Sequence, residues 1–175
     1  DVFTRKRYKD IVVDSFTYCQ NNKGMVLIGY VIMSNHIHAI IQSKNEDLSG
    51  LIRDFKKHTA KQIIASIKNE PESRREWMLK HFTKAAAQHS RNKNYQFWKY
   101  GNHPEEIYSE KFLWAKLDYI HLNPVKAGLV NKASDYLYSS ALYYVNGDGL
   151  LFINRADSLV INVLKTNTFW KNISW

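Results

Sequence analysis

The chain has 175 residues, of which 45% are hydrophobic, enough for one compact domain with a full core but not for two well-developed ones. Its 25 Lys and Arg against 16 Asp and Glu give a formal charge of +9, which favours a polyanion such as nucleic acid as partner. A single cysteine, Cys19, excludes an internal disulfide and the usual thiolate zinc sites, and the longest apolar run, residues 25–33, is too short to span a bilayer. We therefore expect a soluble cytoplasmic protein with no membrane partner.

The opening of the chain predicts a helix followed by a β-hairpin. Apolar residues recur at spacings of three and four over residues 7–20, which is typical of an amphipathic helix. Residues 25–33 and 36–41 are rich in branched and aromatic side chains, and only Ser34 and Asn35 separate them. That pattern predicts two antiparallel strands joined by a tight turn.

The middle of the chain predicts three more helices and one short strand. Helical spacing returns over residues 48–68, where the side opposite the apolar face is basic, and residues 76–89 follow as another helix. The aromatic-rich residues 95–100 predict a short strand. Ser109 is a good N-cap for a helix that must end near Pro124.

This order of elements predicts an α+β fold with an antiparallel sheet and helices on one face. A first strand before Asp1 would complete a ferredoxin-like β-α-β-β-α-β core, so we expect that strand to be missing from this sequence. We predict a core domain over residues 1–130 and a C-terminal extension, residues 131–175, packed on it.

The segment His36-Ile37-His38 places two histidines one residue apart on a predicted strand. The period of two points both imidazoles to one face and Ile37 to the other, so two ligands can converge on one metal ion. Taken alone, the pattern fits two ordinary surface histidines about as well as a metal site.

A second cluster lies on the last predicted helix. Tyr119 and Asn123 lie one helical turn apart on the same face. A separate stripe that can face the core is formed by Leu113, Leu117 and Ile120. Tyr119 need not be a core residue, although the spacing alone still favours a packing role for it.

Basic residues are concentrated between Arg53 and Lys99, where twelve Lys and Arg stand against four Asp and Glu. Cations interleaved with aromatic rings can hold phosphates while the rings stack on exposed bases. The alternatives are solvated helix faces and rings that belong to the core. The residues predicted to contact DNA are Arg53, Lys56, Lys57, Lys61, Arg91, Lys93, Trp98 and Tyr100.

Two motifs give the chain a resemblance to a known family. Residues 33–38 read Met-Ser-Asn-His-Ile-His, and residues 118–130 read Asp-Tyr-Ile-His-Leu-Asn-Pro-Val-Lys-Ala-Gly-Leu-Val. In this order they closely resemble the REP-associated tyrosine transposases, which belong to the wider HUH class of single-strand transposases. Residues 135–141 resemble the tail of that family, so the resemblance runs from about residue 8 to residue 145.

The resemblance implies the HUH endonuclease fold and a role for each candidate residue. Tyr119 would be the nucleophile that forms a 5′-phosphotyrosine. His36 and His38 would bind a divalent ion, Mg²⁺ or Mn²⁺, and Asn123 would take the place of the third ligand. The implied function is that of a metal-dependent single-stranded DNA endonuclease and strand-transferase, a transposase acting on hairpin-forming DNA as a monomer or a homodimer.

Two alternatives share these sequence features. One is an inactive ferredoxin-like nucleic-acid-binding module, and the other is a rolling-circle initiator or relaxase-type nickase. The presence of both histidines together with Tyr119 and Asn123 argues against the inactive module. Initiators and relaxases usually carry more domains than 175 residues hold.

Overall fold

A computed structural model describes residues 1–88, 94–99, 103–158 and 168–174, and for His103, Ser158 and residues 168–174 it describes the backbone alone. The helices in these ranges are α1 (Lys6–Asn22), α2 (Leu48–Asn69), α3 (Arg75–Ala87), α4 (Glu110–Lys126) and α5 (Ala141–Asn146). The strands are β1 (Met25–Ile32), β2 (His36–Ser43), β3 (His103–Glu106) and β4 (Thr168–Ser174). No helix in the described part of the chain combines the length and the apolar character that crossing a bilayer requires.

The strands form one antiparallel sheet in the order β1-β2-β4-β3. The β1–β2 hairpin is closed at its turn by a hydrogen bond from the Met33 N–H to the His36 carbonyl, 2.9 Å long. The predicted α+β class and antiparallel sheet are thereby confirmed. A ferredoxin-like core places the strand before its first helix beside the strand that follows the hairpin turn. In this chain β4 pairs along that side of β2, in the position that the expected first strand would take.

The two faces of the sheet contact different helices. Tyr30 pairs with Ala39, and its ring lies 5.9 Å from that of Phe16 on α1, which in turn stacks at 4.6 Å on Phe55 of α2. Opposed residues in a ladder share a face, so α1 and α2 cover the side of Tyr30 and Ala39. The neighbouring pair, Val31 and His38, points to the other side of the sheet.

Helix α4 packs against that other side, where β1 has a glycine, so helices lie on both faces of the sheet rather than on the one face expected. A Cβ atom placed on Gly29 would lie 2.5 Å from Leu117 Cδ2 and 3.0 Å from Ile120 Cδ1. Leu117 and Ile120 are buried, as the apolar stripe of α4 predicts. The missing side chain of Gly29 therefore lets α4 approach the sheet closely, beside the strand that carries the histidines.

The end of α4 lies beyond the predicted one. Ser109 caps the helix by accepting a hydrogen bond from the Phe112 N–H, as expected, but the helix passes through Pro124 and ends at Lys126. A proline only biases the preceding residue away from helical geometry, and near a helix end it removes a single backbone hydrogen bond. The stop is set instead by Gly128, whose φ of +70° is left-handed.

The short strand predicted over residues 95–100 is wrong in the part that the structure describes, since residues 94–99 form no strand. Phe97 and Trp98 are consecutive, yet both are buried, with ring centroids 4.8 Å apart. A strand would send two consecutive rings to opposite faces, so packing both into one core requires irregular backbone. The short strand of this region lies further on, at His103–Glu106.

Candidate active site

Strand β2 presents the two histidines on the sheet face that α4 covers. Their ring centroids are 4.6 Å apart, and His38 is only 2% exposed. Nδ1 of His36 lies 2.6 Å from Asn35 Oδ1, a contact in which the imidazole donates. That hydrogen bond leaves Nε2 of His36 as the nitrogen with a lone pair, the arrangement typical of a metal-binding histidine.

Both imidazoles are held in the neutral form. Burial lowers the pKa of His36. Burial also lowers the pKa of His38 to about 3, with further lowering from the neighbouring His36 and Lys116. A histidine binds a metal through its neutral ring, so neither group has to lose a proton first near neutral pH.

Tyr119 projects from α4 toward this pair. Its ring centroid lies 5.3 Å from that of His38 in an edge-to-face arrangement, and the residue is 43% exposed. The aromatic hydroxyl thus belongs to a side chain that contacts His38 and still reaches solvent. Both the nucleophile candidate and the histidines come from the same chain.

Asn123 lies one turn after Tyr119 on the same face of α4. Its Nδ2 donates a 2.8 Å hydrogen bond to the Tyr119 carbonyl. The amide nitrogen is therefore committed to the helix, and Oδ1 is the atom of this side chain that could bind a cation.

The donor set fits a divalent ion in its chemistry. Two neutral imidazole nitrogens and an amide oxygen form a mixed nitrogen and oxygen set that leaves the charge of the ion undiminished. Among the described residues, no group of three or more His, Cys, Asp or Glu side chains could hold a metal. A third protein ligand in this part of the chain would therefore be a neutral group such as the Asn123 amide.

The opposite side of α4 is anchored to the edge of β1. His121 Nε2 lies 2.8 Å from Ser140 Oγ, and that hydroxyl accepts a 2.9 Å hydrogen bond from the Tyr30 N–H. Burial lowers the pKa of His121 to about 4, against the opposing influence of Asp118. At about 100° per residue, His121 lies roughly 200° around the helix from Tyr119, so the sequence places it away from the Tyr119 side, but the sequence does not identify Ser140 as its partner.

Two lysines on the Tyr119 side of α4 are not among the residues that the sequence analysis selects. Lys126 Nζ is 5.7 Å from the centroid of the Tyr119 ring. Lys116 Nζ forms a 2.5 Å ion pair with Glu105 Oε2. At about 100° per residue, Lys116, Tyr119, Asn123 and Lys126 fall within roughly 80° of one helix face, a signal that the sequence did contain.

The predicted DNA-binding cations of α2 are not brought to this site. Arg53, Lys57 and Lys61 are exposed on α2, which packs on the sheet face opposite the histidines. Lys56 donates a 3.2 Å hydrogen bond to the Lys99 carbonyl. Three further predicted contacts, Arg91, Lys93 and Tyr100, lie outside the described residues.

Trp98 does not present a ring for base stacking. It is only 7% exposed, and its Nε1 donates to the Lys56 carbonyl at 3.0 Å and to Thr59 Oγ1 at 3.1 Å. The prediction that Trp98 stacks on DNA is therefore wrong. A tryptophan beside basic residues in sequence can equally place its ring in the core and its N–H on a partner there.

Comparison with known proteins gives a family for this chain. The family model described as "Transposase IS200 like" matches residues 1–110, a segment that includes the histidine pair and stops before Tyr119. No curated protein and no solved structure gives a significant match. The family match covers more than half of the chain and agrees with the resemblance carried by the motifs. The chain belongs to the IS200-like transposase family.

Proposed function

We propose that this transposase is a metal-dependent single-stranded DNA endonuclease and strand-transferase with Tyr119 as its nucleophile. The observation that carries the proposal is the 5.3 Å approach of the half-exposed Tyr119 ring to His38, within one chain. A tyrosine that served only packing would have no need to be half exposed beside a neutral imidazole.

The proposed step is an in-line displacement at phosphorus. The Tyr119 oxygen attacks the scissile phosphate, the bond to the 3′-oxygen breaks, and the phenol proton is transferred through solvent to that leaving oxygen. The products are a 5′-phosphotyrosine and a free 3′-hydroxyl. Attack by a 3′-hydroxyl on the phosphotyrosine reverses these bond changes and rejoins DNA without ATP, because the covalent bond conserves the energy of the cleaved one.

The residues around Tyr119 support this step in different ways. A divalent ion, Mg²⁺ or Mn²⁺, held by His36, His38 and Asn123 would polarise a phosphate oxygen. Lys126, whose Nζ lies 5.7 Å from the Tyr119 ring, favours negative charge on the phenol oxygen as its proton leaves. The His121–Ser140 hydrogen bond keeps α4 at a fixed rotation, so the phenol remains aimed at the histidine side of the sheet.

The experiment that tests the proposal measures a covalent adduct. Wild-type protein is incubated with labelled hairpin-forming single-stranded DNA and Mn²⁺ or Mg²⁺, and adducts that survive denaturing electrophoresis are counted. Tyr119→Phe removes only the hydroxyl, so we expect no adduct and no cleavage while DNA binding persists. Tyr18→Phe is the matched control, since Tyr18 is an exposed tyrosine on α1, and it should react like wild type.

The same assay separates the competing functions. His36→Ala and His38→Ala, or EDTA added to wild type, should abolish cleavage but not DNA binding. A covalent adduct formed by Tyr119→Phe would contradict the proposal. Binding of wild type without any adduct would favour the inactive module.

A further inference from the structure

An exposed pair of aromatic side chains lies at the N-terminal end of α4. Tyr108 is 78% exposed, and its ring stacks on that of Phe112 with centroids 5.0 Å apart and planes inclined by 13°. One face of the Tyr108 ring is thus occupied by Phe112, while most of the residue faces solvent. An exposed, pre-stacked ring of this kind is a flat surface on which a further planar group can stack.

The pair lies on the same side of α4 as the nucleophile and two lysines. Lys116 Nζ lies 4.9 Å from the Phe112 ring centroid, and Lys126 lies beside the Tyr119 ring. This line of side chains, called the α4 stripe below, comprises Tyr108, Phe112, Lys116, Tyr119 and Lys126. From Phe112 to Tyr119 the helix rises by about 10 Å, so the aromatic pair and the nucleophile can contact one short piece of extended chain.

The chemistry of the α4 stripe matches an unpaired nucleic acid strand. Aromatic faces take bases that are not stacked in a duplex, and lysines between and beyond them take phosphates. Lys116 forms an ion pair with Glu105, so the charges of these two residues compensate each other. Lys126 is therefore the lysine of the line to which we assign a phosphate.

We propose that the α4 stripe binds the single strand next to the scissile phosphate, with one unpaired base stacked on Tyr108 and a phosphate on Lys126. The proposal rests on the proposed function, since Tyr119 defines which phosphate is the scissile one. The stripe would also select unpaired DNA over duplex, because a base must leave its helix to lie flat on Tyr108.

The test measures the affinity of Tyr108 variants for a fluorescein-labelled (dT)20 strand by anisotropy at low salt. Stacking of one base is worth about 1–3 kcal/mol, so Tyr108→Ala should raise Kd by roughly fivefold or more. Tyr108→Phe keeps the ring and should bind close to wild type. The midpoint of thermal unfolding, measured for each variant, checks that the fold is intact, and it should match wild type because position 108 is exposed.

Trp77→Ala provides the matched control. Trp77 is also an exposed aromatic residue, 54% exposed, and it stacks on His81 at 5.8 Å, but it belongs to α3. Its removal should leave Kd unchanged. Weaker binding by Trp77→Ala with normal binding by Tyr108→Ala would overturn the proposal and place the strand on the α3 side.

Adduct formation by wild type, measured in parallel, tells the two proposals apart. Normal adduct formation with an unchanged Kd in Tyr108→Ala would overturn the stripe and leave the proposed function standing. No adduct from wild type, together with weakened binding by Tyr108→Ala, would support the stripe as a single-strand binding surface and refute the nucleophile.

Discussion

Glu72 has no exposed side-chain surface and lies where the start of α1 meets the loop between α2 and α3. Arg5 Nε lies 2.7 Å from Oε2, the Tyr8 hydroxyl donates to the same oxygen at 2.8 Å, and the Arg74 N–H donates to Oε1 at 3.1 Å. Burial alone would raise the pKa of Glu72, but the donors from Arg74, Tyr8 and Arg5 outweigh it and hold the pKa at about 2. The carboxylate therefore joins two distant parts of the chain as a charged group.

We predict that Glu72→Gln lowers the free energy of unfolding by roughly 2 kcal/mol at neutral pH, because it removes the charge that partly exposed arginines and the Tyr8 hydroxyl contact. The folded pKa lies below the unfolded value of about 4.3, so this contribution is complete above that pH and is lost as pH falls through the folded value. Urea unfolding at several pH values should show that the difference in unfolding free energy between wild type and variant decreases below about pH 4.

The exposed Glu76 supplies the control for that series, and Glu76→Gln should stay near wild type throughout. If the difference in unfolding free energy between wild type and Glu72→Gln did not change with pH, the Glu72 side chain would stabilise the fold through its packing rather than through its charge.

Helix α4 carries the reacting side chain on one face and its anchor on another. We predict that His121→Ala slows adduct formation by up to about a hundredfold with little change in DNA affinity, because a small rotation of α4 misplaces the phenol. Ser140→Ala removes the same hydrogen bond and also the acceptor of the Tyr30 N–H, so it should slow the adduct at least as much. The double variant should be no worse than Ser140→Ala, because the contact that His121→Ala removes is already lost there.

Single-turnover adduct rates and Kd values, measured on the same preparations, check this prediction. His58→Ala removes an exposed histidine of α2 and should leave both quantities unchanged. Additive losses in the double variant, or equal losses of rate and affinity, would show that His121 and Ser140 do not act through the position of α4.

For single helices and strands, the spacing of apolar residues is sufficient to predict which side chains share a face. It predicts the hairpin and α2, and it places His36 and His38 on one face and Tyr119 beside Asn123. Periodicity cannot show that α4 meets β2, because that contact depends on the absent side chain of Gly29 on another strand. Nor can it predict Trp98, whose burial depends on acceptors from α2.

Across the whole molecule, the exposed cations of α2 and the candidate site lie on different sides of the sheet. We predict that neutralising Lys57 and Lys61 together, each to Gln, leaves the affinity for (dT)20 nearly unchanged, whereas Lys126→Gln weakens it. Loss of one phosphate contact should also reduce the slope of log K against log salt by about 0.7. Titrations at a series of NaCl concentrations measure both quantities, and the reverse ranking would assign the strand to α2.

The central position of β4 has a consequence for the order of folding. β1 and β2 are joined by a tight turn and can pair early, but β4 reaches β2 from more than a hundred residues further along the chain. Pairings between such distant segments form slowly, since the entropy of closing the loop is lost before any contact compensates it. Until then β2 is an edge strand with unsatisfied backbone groups. The strand that carries the histidines is therefore hydrogen-bonded on both sides only after the distant β4 has paired with it.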